Sequence, residues 1–358
     1  MKEEDNTNNR MRENQQGPAK RKSRIIKIII WTIFIVVAVL CLVLDSYSQK
    51  INNEIIRIAI ADQLNKKPSD LTKADYLNLT ELDLSKTAAT DIRLLKKCPN
   101  LQILDLTETP LELYHQQSSL RILLYKVGLL KYKQSRKQID LSTLKYLKNL
   151  RILTLREASF KNIKFINNLE KLEELNLRYS ETQNIEWLEG LTSLQKLNIS
   201  STNISDISPL KNLTNLKELD LSFSKVVDIE PLKNLTQLQK LNLERNNIHN
   251  LEPLRNLINL KELILHYNPV SSIEPLENLK NLESLHLGEV PVSSLDSLRD
   301  LNNLRILSIW NTPVSDLGPL KNLTKLQRLD IFQCINVRTE QVEDLKKALP
   351  ELRIRQGM

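Results

Sequence analysis

Few residues in this chain are equipped for chemistry. Its 358 residues include four histidines, three cysteines and three tryptophans. His266, Tyr267 and His286 form the densest group, with Trp310 and Phe332 further along. A His/Tyr pair can move protons. Here, though, no Ser or Cys nucleophile with a base at a defined spacing accompanies it. Cys41, Cys98 and Cys334 make no Cys-x-x-Cys motif, and no His-x-x-x-His spacing occurs, so no metal site is read. The sequence therefore calls for no catalytic residue, no metal, no cofactor and no small-molecule substrate, and the chain is read as a non-enzyme. The chemistry left to these rings is recognition, since exposed Tyr, Trp and Arg are the usual anchors of protein interfaces.

What must position them is a repeat. Leu153, Leu175, Leu197, Leu219, Leu241, Leu263, Leu285, Leu307 and Leu329 follow one another at intervals of 22 residues. Each sits in the same phrase, as in Leu194-Gln-Lys-Leu197-Asn-Ile199 and Leu216-Lys-Glu-Leu219-Asp-Leu221. L-x-x-L-x-L at a fixed period of this size is the signature of leucine-rich repeats. Within a unit, Leu197 and Ile199 alternate with Lys196, Asn198 and Ser200, the period-2 pattern of a half-buried strand. Ile204 and Ile207 then point inward from a return arm. Pro209, Pro231, Pro253, Pro275 and Pro319 open tight helical turns there, where a regular strand is forbidden. No single coil buries its own leucines, but stacked coils share one core. The fold class expected is α/β: a leucine-rich repeat solenoid with a curved parallel sheet on the concave side, 3₁₀ or short helical arms on the convex side, and helical caps, preceded by one transmembrane helix.

The phrases LxxLxLxx(T/N/S)xIxxIxPLxxL from Leu150 to about Leu345 resemble the bacterial 22-residue, internalin-like class, in a membrane-anchored form. The segment 53–85 is similar to the N-terminal cap of many bacterial surface repeat proteins: an amphipathic helix, a turn, a second helical turn and a first strand. Gln341–Ile354 resembles a C-terminal cap. The boundaries read are 1–24 as a disordered basic cytoplasmic tail, 25–45 as the membrane helix, 46–80 as the N-terminal cap, 81–338 as repeats and 339–358 as the C-terminal cap. The register slips near the front, where Leu120-x-x-Leu123 comes early and Leu150-x-x-Leu153 late. An irregular insertion near 111–149 accounts for the slip, with a basic stretch at Tyr125–Ile139.

Ahead of the repeats, Ile25–Leu44 reads IIKIIIWTIFIVVAVLCLVL, with Lys27 its only charge. That length is at the short end of a membrane span. Lys20, Arg21, Lys22 and Arg24 precede it and Asp45 follows. The positive-inside rule then puts the N-terminus in the cytoplasm and the repeats outside, as a single-pass cell-membrane protein. A cleaved signal peptide, with Ser46 and Ser48 before the cut, is the competing reading; the apolar run exceeds the usual length of a signal core. The net charge is +8. Residues 1–27 carry eight Lys/Arg against four Asp/Glu, or half of it. The rest is spread too thinly for nucleic-acid binding.

On the repeats, the residues after the second strand leucine should face the concave side. They include Tyr179, Phe223, Arg245, His266, Tyr267, Trp310 and Phe332, with His286 in the column between the strand leucines. These eight are the candidate partner-binding residues. The function expected is a membrane-tethered extracytoplasmic module that recognises a protein or an envelope component on its concave face. A structural, self-associating envelope spacer is the alternative.

Overall fold

The computed structural model describes residues 4–108, 138–182 and 184–357. The Leu120-x-x-Leu123 phrase and the basic stretch from Tyr125 to Lys137 lie outside them. The residues group into two compact units, 1–54 and 55–358.

Helix α1 (Glu4–Gln63) begins much earlier than composition suggests. Residues 1–24 were expected to lack structure, yet α1 runs through most of them. Their Glu, Gln, Arg, Lys and Met residues favour a helix, against Asn, Gly17 and Pro18, which oppose it. Extending an existing helix also avoids the cost of a new nucleus. From Trp31 the helix is long and apolar enough to cross a membrane, a property that signal sequences share. Trp31, Phe34, Leu40 and Leu42 are exposed among the described residues.

The second unit is a stack of coils. Ile56, Ile60 and Ala61 from the end of α1 are buried in its core. A 3₁₀ turn (Pro68–Asp70) and α2 (Lys73–Asn78) follow, and Thr72 and Asp75 close a reciprocal capping box on α2. Twelve strands then form one parallel sheet. In order they are β1 (Glu81–Asp83), β2 (Ile103–Asp105), β4 (Ile152–Thr154), β6 (Glu174–Asn176), β7 (Lys196–Asn198), β8 (Glu218–Asp220), β9 (Lys240–Asn242), β10 (Glu262–Ile264), β11 (Ser284–His286), β12 (Ile306–Ser308), β13 (Arg328–Asp330) and β14 (Arg353–Arg355). The register matches the repeat: Leu219 pairs with Leu241, Leu241 with Leu263 and Leu263 with Leu285. Each of these is at most 2% exposed.

A second, two-stranded sheet joins β3 (Ile139–Asp140) to β5 (Phe160–Lys161). Residues 139–149, the end of the stretch read as an insertion, thus form a coil arm whose Leu141, Leu144 and Leu147 are fully buried. The return arms are 3₁₀ turns, and proline opens those at Ser208–Asn212, Glu230–Leu232, Glu252–Leu254, Glu274–Leu276 and Gly318–Leu320. Helix α3 (Thr339–Ala348) buries Val342 and Leu345 before β14 closes the sheet. Cys98 and Cys334 are free and buried.

Candidate functional site: the strand face

Each coil leaves its strand through a corner with one unusual backbone. Lys86, Glu108, Glu157, Tyr179, Ser201, Phe223, Arg245, Tyr267, Glu289, Asn311 and Gln333 all have φ between 52° and 60°. This left-handed region suits Gly or Asn and costs other L-residues about 1–2 kcal/mol. The corner is held because its N–H points along the stack and donates to the next coil. Phe223 N–H reaches the Glu244 carbonyl at 2.8 Å, Arg245 the His266 carbonyl at 2.9 Å and Tyr267 the Gly288 carbonyl at 3.1 Å. Bulky Tyr179, Phe223 and Tyr267 are thereby kept 36–49% exposed.

A second column organises the turn before each corner. Asp83, Asp105, Asn176, Asn198, Asp220, Asn242 and Asp330 each accept from the backbone N–H two residues on, at 2.7–3.1 Å. Such short side-chain-to-backbone bonds fix turns. Three consecutive coils drop the acceptor, with Ile264, His286 and Ser308 in its place. His266, Tyr267, His286 and Trp310 lie on these coils, with Phe223 and Arg245 on the two coils before them.

Six of the eight candidates form one connected group there. The Arg245 guanidinium lies 5.3 Å from the Phe223 ring centre and 4.0 Å from that of Tyr267. Tyr267 meets Trp310 edge-on at 5.4 Å. His266 lies 5.7 Å from Trp310 and 5.4 Å from His286. Ring pairs at these separations add about 0.5–1.5 kcal/mol each beyond burial. The other two stand apart. Tyr179 pairs with Arg178, which lies 4.8 Å from its ring centre and donates to its hydroxyl at 3.3 Å. Phe332 pairs with Arg355 at 5.1 Å.

Sequence reasoning missed the residue that admits Trp310. A Cβ on Gly288 would overlap Nε1, Cε2 and Cδ1 of the indole. The glycine lets the ring lie against the neighbouring strand. Two signals were present: Gly288 is one of only six glycines, and it sits where the Asn/Asp column breaks. It also missed Asn268, 2% exposed, whose amide donates to the Leu243, Leu265 and His266 carbonyls and accepts from Ile248 N–H. That side chain braces the coil beneath His266.

Burial holds the His266 imidazole below its ordinary pKa, opposed by a hydrogen bond with the Gly288 backbone and then by the charge of Asp330. Burial does the same to His286, and neighbouring His266 adds to it. Both rings are therefore neutral at pH 7. His286 Nε2 shares a 2.8 Å hydrogen bond with the Ser284 hydroxyl. Nδ1 of His266 is buried without a hydrogen-bond partner among the described residues. A buried polar atom left unpaired costs stability.

The preceding coils present a different face. Glu174, Lys196, Glu218, Lys240 and Glu262 alternate in sign along one column. Lys196 pairs with Glu174 at 2.9 Å and Lys240 with Glu218 at 3.9 Å. With Asn176, Asn198, Asp220 and Asn242 they line a shallow groove of about 380 Å³.

The family model described as leucine rich repeats (2 copies) matches residues 192–234, 214–256 and 258–300. No curated protein sequence matches the chain. Among solved structures, an internalin (inlF) from Listeria monocytogenes is 25% identical over 85% of this chain and 90% of that one, with a TM-score of 0.67. The functional domain of InlJ from the same organism is 19% identical over 83% and 67%, with a TM-score of 0.59. The plant peptide hormone receptor RGFR1 is 17% identical over 80% and 48%, with a TM-score of 0.56. Leucine-rich repeat proteins are typically binding modules. The period, the parallel sheet, the 3₁₀ arms and these likenesses agree that the chain is a leucine-rich repeat solenoid.

Proposed function

We propose that the chain is a membrane-tethered extracytoplasmic module that binds a protein partner on the strand face of its C-terminal half. The observation that carries this reading is the connected group Phe223–Arg245–Tyr267–Trp310–His266–His286. Two of its rings sit on left-handed corners, where they cost stability. Backbone strain retained in an exposed apolar surface supports a role in contact. The rigid sheet adds to this, because little ordering entropy is lost on binding. The solved plant receptor RGFR1, in complex with RGF2, shows the fold holding a partner. The apolar helix after Trp31 and the basic Lys20–Arg24 before it support the tether and its orientation.

The test uses the full chain as bait and then applies the retained protein to intact cells that express it. Cells with the native chain should bind that protein. Cells with Tyr267→Ala plus Trp310→Ala should bind it with affinity lower by about 2 kcal/mol or more. Lys196→Ala plus Lys240→Ala should leave binding unchanged. Full affinity in a folded Tyr267/Trp310 variant removes the site from these rings. Binding only after the cells are permeabilised removes the extracytoplasmic placement.

A further inference from the structure

Most 3₁₀ arms from residue 186 onward differ in charge from the described arms before them; those at Ser208–Asn212 and Gly318–Leu320 contain no carboxylate. From residue 186 onward, the arms at Glu186–Leu188, Glu230–Leu232, Glu252–Leu254, Glu274–Leu276 and Asp296–Leu298 open on a carboxylate. Cations beside them are paired: Arg255 reaches Glu252 at 2.6 Å and Glu274 at 2.7 Å, and Arg299 reaches Asp296 at 3.0 Å. Among the described residues, the arms before residue 186, Arg93–Lys97, Leu141–Tyr146 and Ile163–Asn168, contain no carboxylate within their bounds.

These three arms carry Lys96, Lys145 and Lys164, none of which forms an ion pair among the described residues. Their ammonium groups stand over rings instead. Lys96 lies 4.7 Å from the Tyr146 ring centre, and Lys145 lies 5.2 Å from the same centre. Lys145 is also 5.2 Å, and Lys164 5.9 Å, from the centre of Phe165. Tyr146 is 47% exposed. The result is a strip of three lysines without ion pairs, interleaved with two aromatic rings and flanked by Asp91, which pairs with Arg93, and Asp140, which faces Lys161.

We propose that this strip docks on anionic phospholipid headgroups at the membrane surface. Lysine and tyrosine together suit that layer: the ammonium seeks phosphate, while the apolar stem and ring settle among the upper acyl carbons. A single-stranded nucleic acid fits less well, because its bases need open ring faces and these rings are already covered by ammonium groups. The strip also lies on the described arms nearest in sequence to the apolar part of α1, so the proposal rests on the tether reading.

The full chain is placed in lipid nanodiscs, either of phosphatidylcholine alone or with phosphatidylglycerol added, and its lysines are acylated and mapped. Labelling of Lys96, Lys145 and Lys164 should fall about fivefold in the anionic discs, as expected for one lysine held at an anionic surface. It should recover in about 0.5 M salt, where surface charge is screened. Lys196 and Lys240 should label equally in both discs. Equal labelling of the three arm lysines in both discs overturns the proposal. So does protection by a single-stranded oligonucleotide in the absence of anionic lipid. A chain that enters neither disc refutes the tether alone. The strip is then judged by sedimentation with phosphatidylglycerol vesicles: loss of sedimentation in Lys96→Glu/Lys145→Glu/Lys164→Glu supports it, and unchanged sedimentation overturns it.

Discussion

Residues 174–242 and residues 262–310 are built on the same coil and present opposite surfaces. In the first stretch, Glu174, Lys196, Glu218 and Lys240 neutralise one another, and Asn176, Asn198, Asp220 and Asn242 spend an oxygen on the backbone. Exposed pairs of that kind contribute about 0–1 kcal/mol, so this column is a solvated one, with exposed Tyr179 and Phe223 beside it. In the second, Ile264, His286 and Ser308 abandon the backbone acceptor, Gly288 opens a slot and Trp310 fills it. The difference teaches that a repeat marks a change of surface by where it departs from itself. The leucines cannot vary without loss of the core, so departures collect on the strand face.

If this comparison holds, the two stretches are equal below the surface. Leu219→Ala and Leu285→Ala should each cost about 2–5 kcal/mol by urea unfolding, since both remove buried volume from a packed coil. A large loss at one and almost none at the other would show that the two cores differ as well.

The next effect should separate the stretches. Gly288→Ala forces the Trp310 indole off its seat and should cost about 1–3 kcal/mol, with a shift in tryptophan fluorescence. Ser222→Ala occupies the equivalent place in the charged stretch and removes only the 2.6 Å hydroxyl bond to Asp220. It should cost about 1 kcal/mol or less. Equal costs would deny Gly288 its special place.

The smallest expected effect is a dependence on pH confined to the aromatic stretch. His266 and His286 have folded pKa values below the ordinary 6.5. The unfolded chain therefore takes up protons first as the pH falls. Their contribution to stability is complete above pH 6.5 and is lost as the pH drops through the folded values. Unfolding midpoints compared across that window should fall towards acid. His286→Asn should reduce the drop, because it removes one imidazole and restores the turn acceptor. An undiminished drop in that variant would place the acid sensitivity elsewhere.

Much of the fold was legible because leucine spacing, strand alternation and arm prolines are local patterns. So was the stacking of Arg245, His266, Tyr267, His286 and Trp310 on neighbouring coils, since a fixed period converts sequence distance into stacking; Phe332, expected beside them, stands apart with Arg355. Three matters were not local. The slot at Gly288 depends on a ring 22 residues away. The Asn/Asp column reads as solvation until its bonds to backbone N–H groups are seen. The left-handed corners at Tyr179, Phe223 and Tyr267 contradict residue preference, because a hydrogen bond to the next coil overrides it. At the front, short strands β3 and β5 pair outside the main sheet, which a strict 22-residue rule does not anticipate.

The corner bond has a practical consequence. It runs from main-chain N–H to main-chain carbonyl and asks nothing of the side chain. Eleven corners already carry Lys, Glu, Tyr, Ser, Phe, Arg, Asn and Gln on the same backbone. The column is thus a ready-made display library: a designer could graft new side chains along it, one per coil, and retarget the scaffold without touching a leucine.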